Sequence, residues 1–204
     1  MVVVTMRPPL VNLRTRLRAS ATCTVLAWFL LTPVLSPLNA RAQASGASQY
    51  DVEAVYLYNF AKFVRWPAGS PGPTVQICVA AQKVFVDALT KVVAGEHIET
   101  RPLTVRTIQR PEDEVACDIL FIDASAKDRL AGLLSVASGK PTLTVSDVPG
   151  FLDHGGMIQL LLIDNRVRFS VDLRPVARSE MALSSELLKV AVTVRGQSTG
   201  GGAP

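Results

Sequence analysis

Four short apolar runs separated by helix-like stretches constrain this chain more than any other feature of its sequence. TVQICVA (74–80), PLTVRTI (102–108), CDILFID (117–123) and PTLTVSD (141–147) are rich in β-branched residues and almost without charge. Runs so short and so continuously apolar read as strands buried on both faces, and helices are predicted between them at Val84–Val93 and Ala126–Ala137. This alternation predicts βαβ units and a mainly parallel sheet, with strands near residues 76, 105, 120 and 143 at its centre.

The pattern changes after Asp147. VPGFLDHGG (148–156) is a Gly-rich loop in which Gly155-Gly156 allows a tight turn, and two alternating strands follow at Met157–Ile163 and Arg166–Leu173. Only Asp164-Asn165 separates them, which predicts a hairpin with a primed turn. Val167, Phe169 and Val171 share one face of its second strand, and Arg166, Arg168, Ser170 and Asp172 share the other. Closing helices are expected at Arg174–Met181 and Ser184–Val194, the latter capped by Ser184. The expected fold is therefore α/β: a mainly parallel mixed sheet flanked by helices in three layers, with a C-terminal antiparallel hairpin.

Ahead of the strands, Tyr50–Trp66 reads as a helix, with Ser48 as N-cap, Lys62 and Arg65 in the last turn and Pro67 just beyond. At 100° per residue, Val52, Tyr56, Leu57, Phe60, Phe63 and Val64 form one broad apolar face. Tyr58, Asn59, Lys62, Arg65 and Trp66 lie on the other, where aromatic rings sit among charges. Such rings either tuck into a neighbouring loop or form a ligand or partner surface.

The N-terminus has a separate purpose. Arg7, Arg14, Arg16 and Arg18 precede an uncharged stretch from Ala19 to Leu38, and an A-x-A site follows it at residues 40–44. A basic segment, an apolar segment and small residues in this order predict a cleaved export signal over residues 1–42. An uncleaved anchor is the rival, but Pro33 and Pro37 interrupt the apolar run. The 204-residue chain carries 21 Lys plus Arg against 17 Asp plus Glu, a net +4. Five of those basic residues and none of the acids lie in the first 42 positions, so the exported chain has 16 basic against 17 acidic residues, net −1. The apparent basicity belongs to the signal, and nucleic acid is not an expected partner. One domain is expected over 43–195, followed by a disordered tail at 196–204.

Little in the sequence suggests catalysis. There is no H-E-x-x-H, G-x-S-x-G, G-x-G-x-x-G or phosphate-binding loop, and the two histidines, His97 and His154, stand apart from any cysteine pair. No enzyme, metal site or cofactor is expected. An enzyme built on Asp147, Asp153 and His154 would require those side chains to converge in one pocket. Two cysteines survive removal of the signal, Cys78 in the first strand and Cys117 at the edge of a later one. In an oxidising compartment they form a disulfide if neighbouring strands bring their Cα atoms to about 5.5 Å, or else remain buried thiols.

Four blocks carry a resemblance: AVYLYNFAKFVRWP (54–67), the ICVA and CDILFID strands, LTVSDVPGFLDHGGMIQLLL (143–162) and RVRFSVDLRPVARSEMALSSELLKVA (166–191). Together and in this order they resemble the YfiR family of bacterial periplasmic proteins. The resemblance implies an α/β sandwich and a non-enzymatic role: a periplasmic repressor that binds the periplasmic domain of an inner-membrane diguanylate cyclase, lowers cyclic-di-GMP and restrains biofilm formation. It also implies a homodimer, and makes the Cys78–Cys117 pair a candidate redox-sensitive element. Some members carry a further cysteine pair around the SDxxGF to GGM segment, and residues 147–158 here contain none. The partner surface expected on this reading is Tyr58, Asn59, Lys62, Arg65 and Trp66, with Arg168, Arg174 and Arg178 as possible anion or small-ligand contacts. Arg168 could instead pair with Asp172 or with an acid on a helix. A periplasmic small-molecule binding subunit of a sensor or transporter is the alternative function.

Overall fold

The structure is a computed structural model that describes residues 39–68, 72–113 and 116–197. The export segment therefore lies outside the described residues except for 39–42, and the tail does so from 198 onward.

The four apolar runs form the centre of the sheet. β2 (Val75–Ala80) pairs in parallel with β4 (Arg101–Thr107) on one side and with β5 (Ile119–Ile122) on the other. β5 pairs in parallel with β6 (Leu143–Ser146), which pairs in parallel with β7 (Ile158–Ile163). Alternation divides the sheet between two cores. Ile77, Val79, Ile119 and Phe121 face one of them; Cys78, Ala80, Leu120 and Ile122 face the other.

The first core is covered by α1 (Asn39–Phe63) and α2 (Lys83–Val93), with Leu187 of α5 (Ser185–Lys189) packed beside them. The second is covered by α3 (Leu130–Ala137), a 3-10 turn before it and the loop bearing Val148, Phe151 and Leu152. Three layers result. The hairpin also forms: β7 runs antiparallel to β8 (Arg166–Asp172), and Asp164 and Asn165 take φ of 48° and 57°, the left-handed pair that a primed turn requires.

Several boundaries depart from expectation. α1 begins at Asn39, so Ser48 lies inside a helix rather than capping one. It ends at Phe63, not Trp66, because β1 (Val64–Arg65) pairs antiparallel with β9 (Ala182–Leu183) and Pro67 disfavours helix at the residue before it. Its buried stripe is Glu53, Ala54, Leu57, Phe60 and Ala61, while Val52 and Phe63 are exposed. The helix expected at Arg174–Met181 is α4 (Leu173–Arg178). The one expected at Ser184–Val194 keeps its cap, with Ser184 Oγ accepting from the Leu187 N–H, but stops at Lys189. The β-branched run beyond it becomes β10 (Thr193–Arg195), paired in parallel with β8 at the sheet edge. A two-residue strand, β3 (His97–Ile98), edges β4 at the other end.

Cys78 and Cys117 are joined as a disulfide with their Cα atoms 5.7 Å apart, tying the middle of β2 to the residue two before β5. Both are at most 5% exposed. The bridge closes a separation of 39 residues, so Cys78→Ala with Cys117→Ala is expected to lower stability by about 3–4 kcal/mol, measured by urea unfolding. Intact mass after alkylation, with and without reductant, checks the bond itself. In the Gly-rich loop, a Cβ on Gly156 would lie 2.2 Å from the ring of fully buried Phe151. Gly156→Ala is therefore expected to cost about 1–3 kcal/mol in the same assay.

Candidate functional site

The end of α1 opens onto a cavity of about 380 Å³ assembled from three distant segments: Lys62–Trp66, Ile98–Arg101 and Ala182–Ser184. Backbone pairing holds them in place. Val64 and Arg65 face Leu183 and Ala182 across the β1–β9 ladder, and Ser184 N–H donates to the Phe63 carbonyl at 2.9 Å. Arg101 enters from the first position of β4.

Positive charge and an aromatic surface meet there. Lys62, Arg65 and Arg101 face a single acid, Glu99, around the opening. The Arg101 guanidinium lies 5.7 Å from the Trp66 ring centroid, within cation–π range. Its Nη1 stands 3.9 Å from Asp118 Oδ1, too far for a hydrogen bond. Burial raises the Asp118 pKa, while the Gln76 N–H, at 2.7 Å, and the Arg101 charge pull it back. Trp66 Nε1 and Arg101 Nη1 are both buried without a hydrogen-bond acceptor. Among the described residues Lys62 and Arg65 make no ion pair, so this end of the helix presents donors and cations with few internal partners.

The other expected surface residues are distributed differently. The Tyr58 hydroxyl donates to Glu96, and Lys62 Nζ caps the Tyr58 ring 3.9 Å from its centroid, which connects Tyr58 to the cavity rim. Asn59 is half-buried one turn back and does not line the cavity. Arg168 is exposed on β8, opposite Leu161, and makes no pair with Asp172. Asp172 is taken by Arg174: Arg174 Nε lies 2.9 Å from Oδ1 and Nη2 lies 2.5 Å from Oδ2. The Arg174 side chain holds the Asp172 carboxyl below the usual carboxylate range. Arg178 lines a second cavity of about 430 Å³ with His154 and three serines. Arg168, Arg174 and Arg178 thus lie apart from the Trp66 cavity.

Asp147, Asp153 and His154 do not converge. Asp153 is ion-paired with Arg195 at 2.6 Å, His154 lines the second cavity, and Asp147 is half-buried near Asp123 and Glu53. Among the described residues no group of three His, Cys, Asp or Glu side chains is placed to hold a metal ion. Arg101, Glu99 and Ser184 are the polar cavity residues that sequence reasoning missed. The available sign was the Arg just before the run predicted as a strand at 102–108, since β1–β9 pairing cannot be read from either two-residue segment.

A solved structure shares the fold. A conserved domain protein from Vibrio cholerae O1 biovar El Tor superimposes with a TM-score of 0.50 at 10% identity, covering 72% of this chain. The chain spans 60% of that structure's length. The ABC domain in complex with L-Trp from Streptococcus pneumonia matches more weakly, with a TM-score of 0.44 at 8% identity over 59% of this chain and 56% of that one. No helix among the described residues is long and apolar enough to cross a membrane. The sequence itself is more specific: residues 50–192 match the profile described as YfiR/HmsC-like, so the chain belongs to the YfiR/HmsC-like family, a family of periplasmic regulators rather than enzymes.

Proposed function

We propose that this protein binds and represses the periplasmic domain of an inner-membrane diguanylate cyclase, lowering cyclic-di-GMP and restraining biofilm formation. The cavity at the end of α1 is the observation that carries this reading. It gathers Lys62, Arg65, Arg101 and Trp66 around donors with no internal acceptor. Arg and Trp are the residue types that anchor protein interfaces, and an opening with three cations and one acid fits an acidic segment of a partner. The expected export signal over residues 1–42 supplies the location.

Repression then works as a population shift. A regulator that binds the inactive form of the cyclase moves its equilibrium by no more than its differential affinity for the two forms, so about a hundredfold preference changes the active fraction by about a hundredfold at most. No chemistry is required of the regulator.

The size of the cavity also favours a second reading, in which a small anionic molecule occupies it and the protein is the binding subunit of a sensor or transporter. That reading predicts a ligand-dependent rise in Tm and no cyclase partner. For the first reading, Arg65→Ala with Trp66→Ala is expected to leave the circular dichroism spectrum unchanged. It should weaken binding to the cyclase periplasmic domain by about 30-fold or more and raise cellular cyclic-di-GMP to the level of a deletion. Unchanged cyclic-di-GMP in a folded double variant would remove this surface from the account.

A further inference from the structure

In an open parallel sheet the crevice outside the carboxyl ends of the strands, where strand order reverses, is the usual place for a ligand. Here the order reverses at β2, which has β4 on one side and β5 on the other. Next to that point the chain gathers acid. Asp123 follows β5, Asp147 follows β6, and Glu53 comes from α1. Asp123 is 0% and Glu53 1% exposed. Glu53 Oε2, Asp123 Oδ2 and Asp147 Oδ1 are all buried without a hydrogen-bond partner.

Among the described residues the three carboxylates are met by neutral donors and by no paired cation. From α1, Gln49 Nε2 donates to Glu53 Oε1 at 2.8 Å, and Tyr50 stands beside all three acids, its hydroxyl pKa pushed up to about 12 by burial and by their charges. From the turn after β5, the backbone N–H of Ser125 reaches Asp123 and that of Ala124 reaches Asp147. From α2, Lys83 and Asp87 are exposed and bonded to each other at 2.7 Å. Among the described residues no Lys or Arg pairs with Glu53, Asp123 or Asp147, and the three are not placed to hold a metal ion. Burial without a paired cation favours the protonated form of Glu53 and of Asp147.

We propose that Glu53, Asp123 and Asp147 form a proton-operated latch: protons on Glu53 and Asp147 seat α1 on the sheet, and their loss loosens the Tyr50–Leu57 stretch of that helix. Burial, followed by the charges of Asp147 and Asp123, raises the Glu53 pKa to about 7, against the pull of Gln49. Burial, followed by the Asp123 charge, raises that of Asp147 to about 6. Both folded values exceed the ordinary 4.5 and 3.8, so the fold keeps protons that the unfolded chain has already lost. The stabilisation is complete below the ordinary values, declines as pH rises between them and the folded values, and is gone above about pH 7. Asp113, Asp172 and Glu186, held below the usual range, titrate beneath this window. The latch is independent of which partner α1 serves.

Thermal unfolding of the protein between about pH 5 and pH 8 at fixed ionic strength tests it. The wild-type Tm is expected to fall by roughly 5 °C or more across this range. Glu53→Gln, a neutral isostere of the protonated acid, should flatten the profile and exceed wild type at the alkaline end, while the Asp87→Asn control follows wild type. Amide exchange over Tyr50–Leu57, corrected for its intrinsic pH dependence, should quicken with pH in wild type and not in Glu53→Gln. Asp147→Asn and the 13C titration of the wild-type Glu53 carboxyl keep the test decisive should Glu53→Gln fold poorly. A Glu53 midpoint near its ordinary value, a Glu53→Gln profile as steep as wild type, or exchange that does not change with pH would each overturn the latch. So would recovery of the alkaline Tm on adding magnesium or calcium, which would assign the carboxylates to a cation.

Discussion

The seating of α1 on one face of the sheet is the packing interaction on which the rest of the molecule depends. Two aromatic groups hold it. Near its middle Tyr56 and Phe60 meet Phe169 of β8, with ring centroids 5.8 Å and 5.1 Å away, and the Tyr56 hydroxyl donates to the Val167 carbonyl at 3.1 Å. In the preceding turns Ala54 and Leu57 lie fully buried on the same side, and Tyr50 packs edge-on to Phe85, itself stacked on Phe121. Each edge-to-face pair adds about 0.5–1.5 kcal/mol beyond its buried area. The buried carboxylate of Glu53 sits in the same stripe of the helix as these contacts.

The cavity inherits its shape from this arrangement. Once α1 is fixed, the chain leaves it at Phe63 with three residues before Pro67, and the first two pair with Ala182–Leu183. The pairing brings the C-terminal third of the chain against the helix end, and Arg101 completes the wall from the far side of the sheet order. The disulfide does not participate: Cys78 packs in the other core, with Leu120, Leu133 and Phe151, away from the face that α1 covers. Its burial identifies it as a tie between strands.

Much of the fold was legible because its rules are local. Continuous apolar runs announced the parallel strands, Asp164-Asn165 announced the hairpin, and Ser184 announced a cap. What escaped was tertiary. Val64-Arg65 reads as the last turn of a helix until a partner strand 117 residues later, Ala182–Leu183, captures it. Thr193–Arg195 reads as helix until the open edge of β8 offers a ladder. Glu53 reads as a solvated acid in a first turn, yet it occupies a core position where Val52 was expected. The site was half visible: Lys62, Arg65 and Trp66 drew notice as an aromatic and cationic face, whereas Arg101 joins them only through strand order. Arg174 looked available for a ligand until Asp172 was seen to hold it.

Photo-crosslinking tests the central claim most directly, because it reads which surface touches the partner in the cell. With benzoylphenylalanine in place of Trp66, the account predicts a covalent adduct to the periplasmic domain of the membrane diguanylate cyclase, and none with the same probe in place of exposed Arg168. An adduct from position 168 with none from position 66 would contradict it.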